Sequence, residues 1–106
     1  MTATPPYSIL YIEDNEANRQ LVELVLGRRK DLTISFAMDG LSGLKSIENQ
    51  PPDLLLLDLS LPDIDGYTVL SLVKGNPLTA DLPIIIISGD FPPQTPPVLA
   101  INQTNI

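Results

Sequence analysis

The chain has 106 residues, contains neither cysteine nor histidine, and carries a net charge of −7. Disulfides, thiolate or imidazole metal ligands and histidine-based catalysis are excluded, so any site must use carboxylates, hydroxyls, amides or backbone. With 43% apolar and 18% charged residues the composition is that of one globular domain. The acidic balance argues against direct binding to nucleic acid or to an anionic membrane, both of which need clustered Lys/Arg.

Residues 1–7 read as a flexible leader, because Pro5-Pro6 resists regular structure. They lack the basic start and apolar core of a signal peptide, and no apolar run approaches the ~20 residues of a membrane span. A cytoplasmic location is expected. Ser8 to Ile12 is a first apolar strand, closed by Glu13-Asp14-Asn15. The period then becomes helical, with Ala17, Leu21, Leu24 and Val25 on one face and Val22 and Leu26 beside it. Asp14 or Asn15 is the expected N-cap, and Gly27 to Asp31 ends the helix. The trio Arg28-Arg29-Lys30 is expected at the helix C-terminus, where cations offset the macrodipole.

Leu32 to Ala37 is a second strand, and Leu41 to Glu48 a short helix with Leu41, Leu44 and Ile47 inward. Pro51-Pro52 breaks that helix. Leu54 to Leu57 then run into Asp58, and a loop rich in Pro, Asp and Gly follows. A short apolar run bounded by turn signals reads as a strand buried on both faces. A third helix from about Asp65 or Gly66 to Lys74 carries Tyr67, Leu70 and Val73 as its apolar stripe; Lys45 and Lys74 are expected in solvent. Pro83 to Ser88 is a fourth, β-branched strand.

The β-α-β-α-β-α-β rhythm predicts parallel strands joined by right-handed helical crossovers. The expected class is α/β, a doubly wound parallel sheet of order 2-1-3-4, with a site beside the switch between strands 1 and 3. That order brings Glu13, Asp14, Asp58 and Ser88 to one sheet edge. Three carboxylates there repel one another unless protonated or bridged by a cation. Oxygen ligands with open positions suit a hard divalent ion, Mg²⁺ above all. A carboxylate so placed can also attack a phosphoryl group to give an acyl phosphate, with the Ser88 hydroxyl and Gly89 N–H as donors to it.

Ile9-Leu10-Tyr11-Ile12-Glu13-Asp14-Asn15, Asp53 to Gly66 reading DLLLLDLSLPDIDG, and PIIIISGD at 83–90 together resemble receiver domains of two-component response regulators, in the style of receivers attached to hybrid histidine kinases. The resemblance covers residues 8–90 and implies a flavodoxin-like fold. It further implies that Asp58 is the phosphoacceptor, charged by a histidine kinase or phosphotransfer protein, with Asp14 a direct Mg²⁺ ligand and Glu13 acting through water. The Ser60 carbonyl is implied as the third protein oxygen on the metal, and Ser88 as the switch hydroxyl. Pro62 and Gly66 shape the loop after the acceptor strand. Such a module is a phosphorylatable signalling domain and not a turnover enzyme.

Residues 91–106 depart from the pattern: a Pro-rich tail stands where the family has a fourth helix, a fifth strand and a fifth helix, and no lysine follows Lys74. Self-association through an exposed edge at Ile84–Ile87, or through the tail, is expected. Two other readings stand beside the phosphoacceptor: a degenerate receiver serving as an interaction or dimerisation module, and an aspartate-based phosphohydrolase. The DxDG of Asp63 to Gly66 superficially suits the latter, although a turn accounts for it better.

Overall fold

A computed structural model of the chain describes residues 4–87. Within it run β1 (Tyr7–Ile12), α1 (Glu16–Leu26), β2 (Leu32–Ala37), α2 (Gly40–Asn49), β3 (Leu54–Asp58), α3 (Gly66–Gly75) and β4 (Ile84–Ile87). The strands form a parallel sheet of order β2-β1-β3-β4. This is the expected order; the expectation that a fifth strand and last helices are missing or replaced falls outside the described residues. The first strand begins at Tyr7, one residue inside the expected leader, because the Tyr7 N–H reaches the Asp31 carbonyl at 2.7 Å.

Alternation along the strands divides the core in two. Leu10, Ile12, Leu55, Leu57, Ile84 and Ile86 point to one face and pack with Ile47, Val69 and Val73 of α2 and α3. Ile9, Tyr11 and Leu56 point to the other, covered by Val22 and Leu26 of α1. Gly43 lets α2 settle on β1, since a Cβ there would overlap the Ile12 side chain.

In α1 the inward stripe differs from the one that apolar periodicity suggests, while α2 and α3 each keep two of the three expected positions inward and turn the third to solvent. In α1 the stripe facing the sheet is Arg19, Val22 and Leu26, while Ala17, Leu21, Leu24 and Val25 are exposed, the last three by 59%, 59% and 62%. Leu41 of α2 is exposed, and its inward face is Gly40, Gly43, Leu44 and Ile47. Tyr67 of α3 is exposed, and Val69, Leu70 and Val73 face inward. α1 carries enough apolar residues for two overlapping stripes, and packing against the sheet selects the one through Val22 and Leu26, while Gly40 and Gly43 bring α2 close to the core.

Helix ends follow the expected chemistry more closely. Asn15, Asp39 and Asp65 are the N-caps, accepting the backbone N–H of Asn18, Ser42 and Tyr67 respectively. The trio Arg28-Arg29-Lys30 lies beyond the end of α1, and Arg29 instead forms a two-pronged pair with Asp31 at 2.9 and 2.6 Å. Lys74 is half-buried, not solvated, and its ammonium donates to the Ala80 carbonyl.

Candidate functional site

The carboxyl edge of the sheet collects the acidic residues because of register. Ile12 is paired with Leu57 across the β1–β3 ladder, so Glu13 and Asp58 follow one step later at the same level and point to the same face. Asp14 continues from Glu13 into the turn. Carboxylate oxygens of Glu13, Asp14 and Asp58 lie within 4.8 Å of one another, the first and last buried and Asp14 exposed.

Each member of this group is held by named contacts. The Asp58 Oδ1 accepts the Ser60 N–H at 3.1 Å, which folds the following loop back over the strand end. The Glu13 Oε1 accepts the Asn15 N–H at 3.0 Å, and its Oε2 accepts the Tyr11 hydroxyl at 3.1 Å. The Glu13 carbonyl accepts from the Arg19 Nη1 at 2.9 Å, so the first turn of α1 is tied to the end of β1.

Electrostatics follow from this crowding. Burial pushes the Asp58 carboxyl up to about 6; the Ser60 N–H opposes the rise, while the Glu13 and Asp14 carboxylates add to it. Burial and the Glu13 carboxylate also raise the Tyr11 hydroxyl far above its ordinary value, so it remains a proton donor to Glu13. An oxygen-only cluster in which the Glu13 and Asp14 carboxylates oppose ionisation of Asp58 fits a hard divalent cation, which relieves that repulsion.

Of the residues expected at the site, Glu13, Asp14 and Asp58 are brought together. Ser60 lies beside Asp58 through its own N–H. Pro62 sits exposed in the loop. Gly66 is buried, and a Cβ on it would stand 2.5 Å from the Leu59 Cα and 2.7 Å from the Asp58 carbonyl oxygen, so only glycine lets α3 begin this close to the end of β3. Ser88 and Gly89 lie outside the described residues.

Three contributors escaped the sequence reading. Tyr11 looks like an ordinary core residue, and only its spacing of two from Glu13 on one strand places both on the same face. Arg19 is hidden because hydrophobic periodicity does not nominate an arginine for an inward stripe. Asp63, read as a turn residue, accepts the N–H groups of Gly40 and Leu41 at 2.8 Å each and caps α2 from outside it.

Comparison with known proteins agrees with this geometry. Residues 9–96 match the response regulator receiver domain family. The chain is 38% identical over 81 residues to the response regulator PleD of Caulobacter vibrioides, covering 76% of this chain and 18% of PleD. It is 41% identical over 82 residues to the transcriptional regulatory protein AfsQ1 of Streptomyces coelicolor, covering 77% of this chain and 35% of AfsQ1. The chain thus spans well under half the length of these relatives. The Mn²⁺-bound form of response regulator Rcp1 superimposes with a TM-score of 0.77 at 32% identity, over 83% of this chain and 69% of that one. The phosphorylated cyanobacterial phytochrome response regulator RcpA superimposes with a TM-score of 0.72 at 29% identity, over 81% of this chain and 67% of that one. This chain belongs to the response regulator receiver domain family, and its fold is that of a receiver.

Proposed function

We propose that the domain accepts a phosphoryl group on Asp58 from a histidine kinase or a phosphotransfer protein, with Mg²⁺ as the cation. The observation that carries this reading is the buried Asp58 carboxylate beside Glu13 and Asp14 at the end of β3. An Asp58 oxygen attacks phosphorus, the bond to the donor's leaving group breaks, and an acyl phosphate remains on Asp58. Glu13, Asp14, Asp58 and the Ser60 carbonyl are the residues that would hold Mg²⁺, which supplies charge neutralisation at the transferring group. Asp58 is the nucleophile, and the Ser60 N–H steadies the oxygen that does not attack. The likeness to a Mn²⁺-bound and to a phosphorylated response regulator supports both halves of the reading.

The domain acts as a signalling acceptor and not as a turnover enzyme, and its site belongs in the cytoplasm with its kinase. Self-association belongs to the same reading: β4 is one of the two edge strands among the described residues, and its Ile85 and Ile87 are only half-buried. A monomeric mass in light scattering across a concentration series would remove that part.

The deciding experiment is intact mass after incubation with acetyl phosphate and Mg²⁺, beside an Asp58→Asn control. One phosphoryl adduct, absent from the control, is the expected result. No adduct on folded protein would overturn the phosphoacceptor and leave an interaction module. No helix among the described residues is long and apolar enough to cross a membrane.

A further inference from the structure

We propose that Tyr11 is a positioning residue of the acidic site, its buried hydroxyl fixing the Glu13 carboxylate in the orientation that faces Asp14 and Asp58. The inference rests on the cation-binding reading above and adds a residue to it.

The argument begins with which group needs holding. Glu13 reaches the cluster on a side chain one methylene longer than aspartate, with one more rotatable bond to fix. It is 2% exposed, so it has little water to orient it. Besides the side-chain hydrogen bond it shares with Asp58, two donors do so, one to each oxygen: the Asn15 N–H at 3.0 Å and the Tyr11 hydroxyl at 3.1 Å. A carboxylate offers about four lone-pair sites, so one donor on each oxygen leaves capacity directed at a cation or its water.

Tyr11 is rigid enough for the task. It is 1% exposed, and its ring lies 6.3 Å from that of Phe36 at 52°. Its neighbours in the core are Ile9, Leu56 and the apolar side chains under α1. A buried tyrosine hydroxyl generally finds a partner. Here that partner is a carboxylate of the site, reached because residues two apart on a strand share a face. The arrangement is that of an outer group orienting a metal-facing one, where loss of the outer group typically costs 10–100-fold in metal affinity or activity.

The chain contains no tryptophan and three tyrosines, which supplies a direct readout. With Tyr7→Phe and Tyr67→Phe, Tyr11 becomes the sole tyrosine chromophore. Titrating this protein with Mg²⁺ is expected to change its near-ultraviolet difference spectrum with the same midpoint that calorimetry gives for Mg²⁺ binding. Tyr11→Phe, which keeps the ring and removes only the oxygen, is expected to weaken Mg²⁺ binding by about tenfold or more while its circular dichroism stays native.

The outcomes separate the two readings. If the wild-type protein binds no Mg²⁺, the cation site and this inference fall together. If it binds Mg²⁺ and Tyr11→Phe binds it equally well, only the role of Tyr11 falls. Should Tyr11→Phe fail to fold, the single-tyrosine protein decides alone, since an unchanged spectrum at saturating Mg²⁺ overturns the inference.

Discussion

The Asp63 carboxylate closes on the Gly40 amide, its Oδ1 accepting that N–H at 2.8 Å across 23 residues of sequence, while Oδ2 takes the Leu41 N–H at 2.8 Å. The loop leaving Asp58 is thereby bolted to the start of α2. Ile64 completes the join, since its side chain fills the space a Cβ on Gly40 would need. Burial works against the charge on Asp63, yet the amides of Leu41 and Gly40 outweigh it and hold the carboxyl below its ordinary value. Such a group stabilises the fold above its unfolded value, and the contribution is lost as pH falls through the folded one. Asp63→Ala is therefore expected to lower the Tm at neutral pH and to converge on wild type in acid, with Asp63→Asn between them. Equal deficits at both pH values in thermal unfolding would contradict this.

Asp58 has the opposite sign. Its folded carboxyl, raised to about 6 chiefly by burial, binds its proton more tightly than in the unfolded chain, where about 4 is ordinary. The native state thus holds more protons between about pH 4 and pH 6, and stability declines as pH rises through that window. Asp58→Asn removes the charge, so it is expected to be more stable than wild type near neutrality and little different below about pH 4. Urea titrations of both proteins along a pH series measure the gap; a constant gap would show that charge repulsion at the site does not cause it.

Cation binding should reverse that penalty. Mg²⁺ competes with the proton on Asp58, so wild-type affinity is expected to weaken as pH drops below about 6. Binding to the native state alone raises stability by about 2.7 kcal/mol at a free concentration 100-fold above Kd. Asp14→Asn should abolish the rise in Tm with Mg²⁺, and EDTA should return the wild type to its metal-free value. A Mg²⁺-dependent Tm shift that persists in Asp14→Asn would place the cation elsewhere.

Two glycines of α3 are expected to behave oppositely. Gly66→Ala sets a methyl against the Leu59 Cα and the Asp58 carbonyl oxygen, backbone atoms that cannot turn aside, and should cost about 1–3 kcal/mol or more. At Gly75 nothing lies within 4 Å of an added Cβ, and alanine there should stabilise by roughly 0.4–1 kcal/mol through the unfolded chain. Denaturant midpoints of the two variants decide whether α3 begins as tightly against the end of β3 as described.

The inward stripe of α1 is also open to test. Val22 packs against the sheet while Leu24 is 59% exposed. Val22→Ala is expected to cost on the order of 1 kcal/mol, and Leu24→Ala to stay within about 0.5 kcal/mol of wild type. The reverse order in chemical denaturation would restore the stripe that periodicity alone suggests.

Much of this domain could be read from sequence because its signals are local. Four leucines before Asp58 mark a strand buried on both faces, the β-branched run at Ile84–Ile87 marks one buried on one face and half-buried on the other, and Asn15 and Asp65 announce helix starts through chemistry confined to one turn. The strand order, and with it the meeting of Glu13, Asp14 and Asp58, followed from the rhythm of elements and the family resemblance. What lay beyond the sequence was every choice made between distant surfaces. Helical periodicity offers more than one stripe when leucines and valines are plentiful, and only contact with the sheet decided that Arg19, Val22 and Leu26 face inward. Asp63 could cap α2 only once the fold had carried it to Gly40. Tyr11 became part of the site only when the strand pairing buried its hydroxyl beside Glu13, because a hydrogen bond depends on separations in space that residue spacing alone does not specify.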